Sequence, residues 1–129
     1  MKHGFVKVAA ATPDIKVADC IYNAQSICSD MKKAAEQGAK IVVFPELCLT
    51  GYTCSDLFWQ ERMLDAAKEG LRKIIKTSLT LDGLFFVGLP WEVNQKLYNV
   101  AAAVSNGELL GLVPKKYLPN YAEFYEARH

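Results

Sequence analysis

The sequence predicts an α/β fold: a mixed sheet with helices on one face. Three observations carry that expectation. Two short runs, 41–44 and 84–89, are wholly apolar and each stops at a proline, as strands buried on both faces do. Two longer stretches place apolar residues at helical spacing. The segment from Leu97 to Val113 doubles back at Asn106-Gly107, a strong hairpin signal.

Taken in order, Phe5–Ala11 reads as a first strand ended by Thr12-Pro13-Asp14. A helix from about Asp19 to Gln37 follows, with Ala24, Ile27, Cys28, Met31 and Ala35 on one stripe. Asp19 suits its N-cap, and Gly38 suits the left-handed position just past its end. The strand 41–44 comes next, so the first two strands form a β-α-β unit with parallel pairing. A loop of turn formers from Leu49 to Asp56 leads to a second helix, about Leu57 to Thr77. Met63, Leu64, Ala67, Leu71, Ile74 and Ile75 line its apolar face, and its charged residues read as a solvated surface. Asp82-Gly83 turns the chain into the strand 84–89, ended by Pro90. Glu92–Gln95 is a polar turn, and 97–104 and 109–113 form an antiparallel pair.

The totals narrow the function classes. The 129 residues suit one domain, and 51% apolar content suffices for a core. A net charge of +1, from 15 basic and 14 acidic groups, offers no field for nucleic acid or an anionic membrane. No stretch has the length of a transmembrane helix and no signal-peptide core follows Met1, so a cytoplasmic location is expected. Cysteines at 20, 28, 48 and 54 make no C-x-x-C pair, and the two histidines stand at positions 3 and 129, so no metal site is expected. In a reducing compartment these thiols act as small buried hydrophobes.

Two places hold candidate chemistry. Pro45 lacks the N–H that would continue the strand, so Glu46 is held at the mouth of a rigid apolar element, where desolvation favours a general base. A solvated strand-end carboxylate is the plain alternative. The second place is Pro114–His129, where Lys115 and Lys116 leave an apolar strand for a segment dense in aromatics. Solvated lysines and packed tyrosines would explain it locally, yet the segment reads as leading into further structure.

Together these residues resemble a known family. Pro45-Glu46-Leu47 after an apolar strand, with Gly51-Tyr52 following, resembles the glutamate motif of the carbon–nitrogen hydrolase (nitrilase) superfamily. Lys115 in Pro114-Lys115-Lys116-Tyr117-Leu118-Pro119 resembles its lysine motif, and Tyr98-Asn99 is typical of it. The stretches 45–58 and 121–128 are most similar to the amino-terminal glutaminase domains of glutamine-dependent NAD synthetases. The resemblance implies an α-β-β-α sandwich, of which residues 1–129 would be the amino-terminal portion, and a Glu-Lys-Cys amidase mechanism. Carried over by motif, Glu46 is the general base and Lys115, three residues before Leu118, is the cationic partner. Glu123 matches a second glutamate that positions lysine and substrate, and Tyr121 matches a glutamine-contacting tyrosine. Tyr52 either packs beside the site or touches substrate. No cofactor is implied for this segment; ATP and magnesium belong to the synthetase domain that the resemblance places downstream.

That chemistry suits those residue types. Thiol attack on an amide needs a base, a proton for departing ammonia and donors for an oxyanion. All four cysteines precede Lys115, whereas the family's nucleophile lies after it, so the nucleophile is expected beyond residue 129 and the isolated chain is expected to be inactive. Cys48, two residues from Glu46, is the one nearby substitute, but a reactive thiol needs a low-pKa, electropositive and oriented setting. Two alternatives remain: part of a stand-alone nitrilase-type ω-amidase, or a non-catalytic fragment acting by self-association. An uncovered sheet face also makes a homo-oligomer the expected state.

Overall fold

In a computed structural model of the protein, residues 4–51 and 61–115 are described. Among the described residues five strands and two helices appear in the order β1 (Val8–Ala10), α1 (Cys20–Glu36), β2 (Ile41–Val43), α2 (Glu61–Ser78), β3 (Leu84–Val93), β4 (Lys96–Ser105) and β5 (Glu108–Pro114). The sheet runs β1-β2-β3-β4-β5, with parallel pairing through β3 and antiparallel pairing beyond it. Both parallel crossovers step the same way along the sheet, so right-handed connections put α1 and α2 on one face. The mixed sheet and one-sided helical cover are those the sequence predicts. Among the described residues no helix is long and apolar enough to cross a membrane.

The first helix forms where the spacing places it and the second does so from Glu61 on, residues 57–60 of its expected span lying outside the described residues. Asp19 caps α1 by accepting the Tyr22 N–H at 3.0 Å, and Gly38 takes a left-handed φ of 86° just beyond Gln37. Cys20, Ala24, Ile27, Cys28 and Met31 bury the α1 stripe against Met63, Ala67, Leu71 and Ile74 of α2. The helices approach closely at Gly70, where a Cβ would stand 3.4 Å from both Ala24 Cβ and Cys20 O of α1. Cys20 donates to Met63 Sδ and Thr77 donates to Cys28 Sγ, so both thiols are packed between the helices, as the stripe predicts for Cys28.

Under the helices, Val42, Phe85, Val87, Leu89, Val100, Ala102 and Val104 form the sheet half of the core. The alternate residues face the other way. That face is open: Val8, Val43 and Val113 are 63%, 47% and 58% exposed, respectively.

Pro90 does not end β3, which continues to Val93. Phe86 O accepts from Phe44 N and Gly88 O from Leu49 N, so these residues point their backbone groups toward β2. Pro90, two further on, points the same way but lies past the end of β2, where no N–H is needed. The polar turn is correspondingly tighter than expected: only Asn94 and Gln95 connect β3 to β4, with φ of 50° and 66°. Asn106 and Gly107, at 51° and 79°, repeat that pattern in the second hairpin. β5 also carries a bulge opposite Ala103/Val104.

Candidate active site

β2 delivers its chain to a compact turn. Pro45 follows the last ladder contact, and Glu46–Thr50 fold back on themselves through Cys48 N to Pro45 O (3.3 Å) and Gly51 N to Leu47 O (2.8 Å). Leu47 is buried at a positive φ of 52°, a strained setting directly after the carboxylate. Contacts from β3, the β1–α1 loop and α1 hold the turn. Leu49 N donates to Gly88 O at 3.1 Å, Ala18 N donates to Thr50 O at 2.8 Å, and buried Asn23 on α1 donates to Leu49 O at 3.0 Å. Asn23 also bonds both backbone groups of Lys16, so one carboxamide ties the β1–α1 loop to the turn.

Gly88 makes the arrangement possible. A Cβ there would lie 2.4 Å from Leu47 N and 2.7 Å from Pro45 O. The turn therefore rests directly on β3 backbone, and Glu46 emerges over the open face of the sheet rather than beneath the helices.

Lys115 reaches the same place from the other side. Its N–H donates to Asn99 O at 2.8 Å, extending the β4–β5 ladder by one pair. Lys115 Nζ stands 2.6 Å from Glu46 Oε1, and Asn99 Nδ2 donates to that same oxygen at 2.6 Å. Around them is a cleft of about 320 Å³ whose apolar wall is Val43, Phe86, Ala101 and Val113. Gly88 and Ala101 keep its floor low.

Of the residues singled out in the sequence, Glu46 and Lys115 are thus brought together across 69 positions of chain. Tyr52, Tyr121, Glu123 and Lys116 lie outside the described residues, as does Cys54. The expected desolvation of Glu46 is not found: its side chain is 38% exposed and that of Lys115 30%. The reason is the uncovered sheet face on which both lie. Cys48 is different. It is buried and donates to Gly88 O, and burial pushes its thiol pKa up to about 12. It is a protonated packing residue at neutral pH.

Gly88 and Asn99 had partial signals. A glycine inside an apolar strand marks a close backbone approach, and Asn99 appears in the sequence only as half of a family dipeptide. Asn23 had none, because an asparagine inside an amphipathic stripe does not announce a backbone partner far away in the chain.

The site so formed is a carboxylate held by an ammonium and a neutral amide where β2, β3, β4 and β5 meet over the open face of the sheet. The chain belongs to the carbon–nitrogen hydrolase family, whose model matches residues 7–127. It is similar to the glutamine-dependent NAD(+) synthetase of Mycobacterium tuberculosis, 40% identical over 127 residues that cover 98% of this chain and 19% of that protein. Among solved structures it is similar to a glutamine-dependent NAD(+) synthetase from Cytophaga hutchinsonii, with a TM-score of 0.87 and 29% identity over 95% of this chain and 21% of that one. It is also similar to an amidase from Nesterenkonia sp., with a TM-score of 0.77 and 25% identity over 95% of this chain and 47% of that one. A structure of a mutant of the amidase from Nesterenkonia sp. AN1, 25% identical with a TM-score of 0.75, shows acrylamide added at its active-site cysteine. The chain spans about a fifth of the length of the curated relatives it matches.

Proposed function

We propose that residues 1–129 are the amino-terminal part of a glutaminase domain, contributing the acid–base half of a site that hydrolyses the glutamine side-chain amide. The ammonia released would feed ATP-dependent NAD synthesis from nicotinic acid adenine dinucleotide. The observation that carries this reading is the 2.6 Å contact between Glu46 and Lys115, made by the two motif residues on the open face of the sheet.

The chemistry runs as follows. Glu46 takes the proton of a cysteine thiol, which attacks the amide carbon. Lys115 stays charged beside the carboxylate and offers its remaining protons to the developing oxyanion. Glu46 returns its proton to the departing ammonia, then draws one from the water that opens the thioester. Glu123 would steady Lys115, and Tyr121 and Tyr52 would contact glutamine. The nucleophile would come from after the lysine motif, where the family carries it; Cys48 is buried and protonated, and Cys20 and Cys28 are packed between the helices.

Replacing the matching stretch of the Mycobacterium tuberculosis relative with residues 1–129 gives a direct test. The graft should release ammonia from L-glutamine, and Glu46→Gln or Lys115→Ala should lower kcat by roughly 10²–10⁴-fold. A folded graft whose Glu46→Gln form remains fully active would sink the proposal. The isolated chain should not hydrolyse glutamine; turnover lost in Cys48→Ala would show that Cys48 is the nucleophile after all.

The likeness to the Nesterenkonia amidase supports a second reading, a small-amide hydrolase of the nitrilase type. Preference of the graft for short aliphatic amides over glutamine would select it.

A further inference from the structure

Asn99 has no part in the chemistry above, yet its carboxamide shares an oxygen with the lysine. Asn99 Nδ2 and Lys115 Nζ both meet Glu46 Oε1, each at 2.6 Å. Their spacing is built into the sheet. Lys115 N donates to Asn99 O, so the two side chains are cross-strand neighbours on one face. Opposite Asn99 on β3 is Pro90, and Gly88 and Ala101 leave the space over which Glu46 reaches.

The two donors are not equivalent. A lysine ammonium on four methylenes can follow a carboxylate through many orientations. A carboxamide on one methylene, rooted mid-sheet, cannot. It is also neutral throughout the working pH range, so it neither competes for the proton nor adds charge. Among the described residues, Glu46 Oε2 meets no donor.

We infer that Asn99 is the positioning residue of this site: it commits Oε1 of Glu46 as an anchor and leaves Oε2 as the oxygen that takes and returns the proton. The inference rests on the reading of Glu46 as general base. When an S–H or water proton passes to Oε2, Glu46 becomes neutral. Oε1 then keeps both donors, and Lys115 retains its charge for the oxyanion.

The full 129-residue chain, isotopically labelled, tests the anchoring without any need for turnover. One Asn99 side-chain amide proton should resonate downfield, persist in Lys115→Ala and return to an ordinary position in Glu46→Ala. The Glu46 side chain should lose order in Asn99→Ala. An Asn99 amide indifferent to Glu46→Ala, or a Glu46 equally ordered without Asn99, overturns the inference. In the grafted enzyme, Asn99→Ala should lower kcat about 10–100-fold, by misaligning the base. It should also move the acid limb of the kcat/KM profile to higher pH, which a merely structural loss would not do. Intact anchoring with an unchanged kcat and profile overturns the part Asn99 plays in proton transfer. A fully active Glu46→Gln graft instead overturns the base reading underneath it.

Discussion

Gly88 lies so close to Leu47 that a single added methyl would stand 2.4 Å from the Leu47 amide nitrogen. The obstacle is backbone on both sides, so no rotamer change relieves it. Gly88→Ala is expected to destabilise the chain by about 1–3 kcal/mol, read from urea unfolding. It should also displace Glu46. Gly111 is the matched control, because a Cβ there meets nothing within 4 Å. Gly111→Ala should stay within about 0.5 kcal/mol of the parent, and equal losses at both positions would refute the close-approach account.

Cys48 gives the chain an alkaline weakness. Burial holds its pKa at about 12 in the folded state, against 9.0 for the free thiol. Between those values the unfolded chain binds fewer protons, so stability falls as pH rises, by at most about 1.4 kcal/mol per pH unit. Below the lower value the effect is absent. Unfolding free energies measured from neutral pH to about pH 11 should fall less steeply in Cys48→Ala than in the parent. Parallel slopes would show that the buried thiol does not titrate in this way.

Asn23 is buried and makes three hydrogen bonds to backbone, two to Lys16 and one to Leu49. Removing its carboxamide strands those groups away from water. Asn23→Ala should cost about 2–4 kcal/mol by denaturant titration, more than a truncation of equal size at an apolar core position of α1. It should also loosen the turn that carries Glu46. A loss below about 1 kcal/mol would mean that water replaces the carboxamide.

The open sheet face is the expected surface for self-association. Val8 and Val113, at 63% and 58% exposed, belong to an apolar layer that ordinary monomers cover. Light scattering of the full chain should give a mass above 14.3 kDa, and Val8→Lys should bring it down toward that value. A monomer with cooperative melting would dispose of this expectation.

Much of this was readable from the residues, because periodicity reports which side of an element meets apolar neighbours. The α1 stripe, the capping by Asp19 and the Asn106-Gly107 hairpin all depend on local spacing. Pro90 was misread as a stop because its effect depends on whether a neighbouring strand is present beside it. β2 is not there. The site was half readable. Glu46 and Lys115 stand out by motif, but the exposure of Glu46 follows from which sheet face its turn crosses. That depends on Gly88, 42 positions away. The hydrogen bonds of Asn23 to Leu49 and of Asn99 to Glu46 are long-range, and no local pattern encodes them.

Both hairpin turns act on the carboxylate from a distance. β4 puts Val100 under the helices and Asn99 against Glu46, one residue apart on opposite faces. A slip of one position would exchange them, sending a carboxamide into the core and offering Glu46 a valine. What holds β4 against that slip is the pair of two-residue turns at its ends, Asn94-Gln95 and Asn106-Gly107, each requiring positive φ at both residues. Their residues touch no part of the cleft, yet they decide which chemistry faces it.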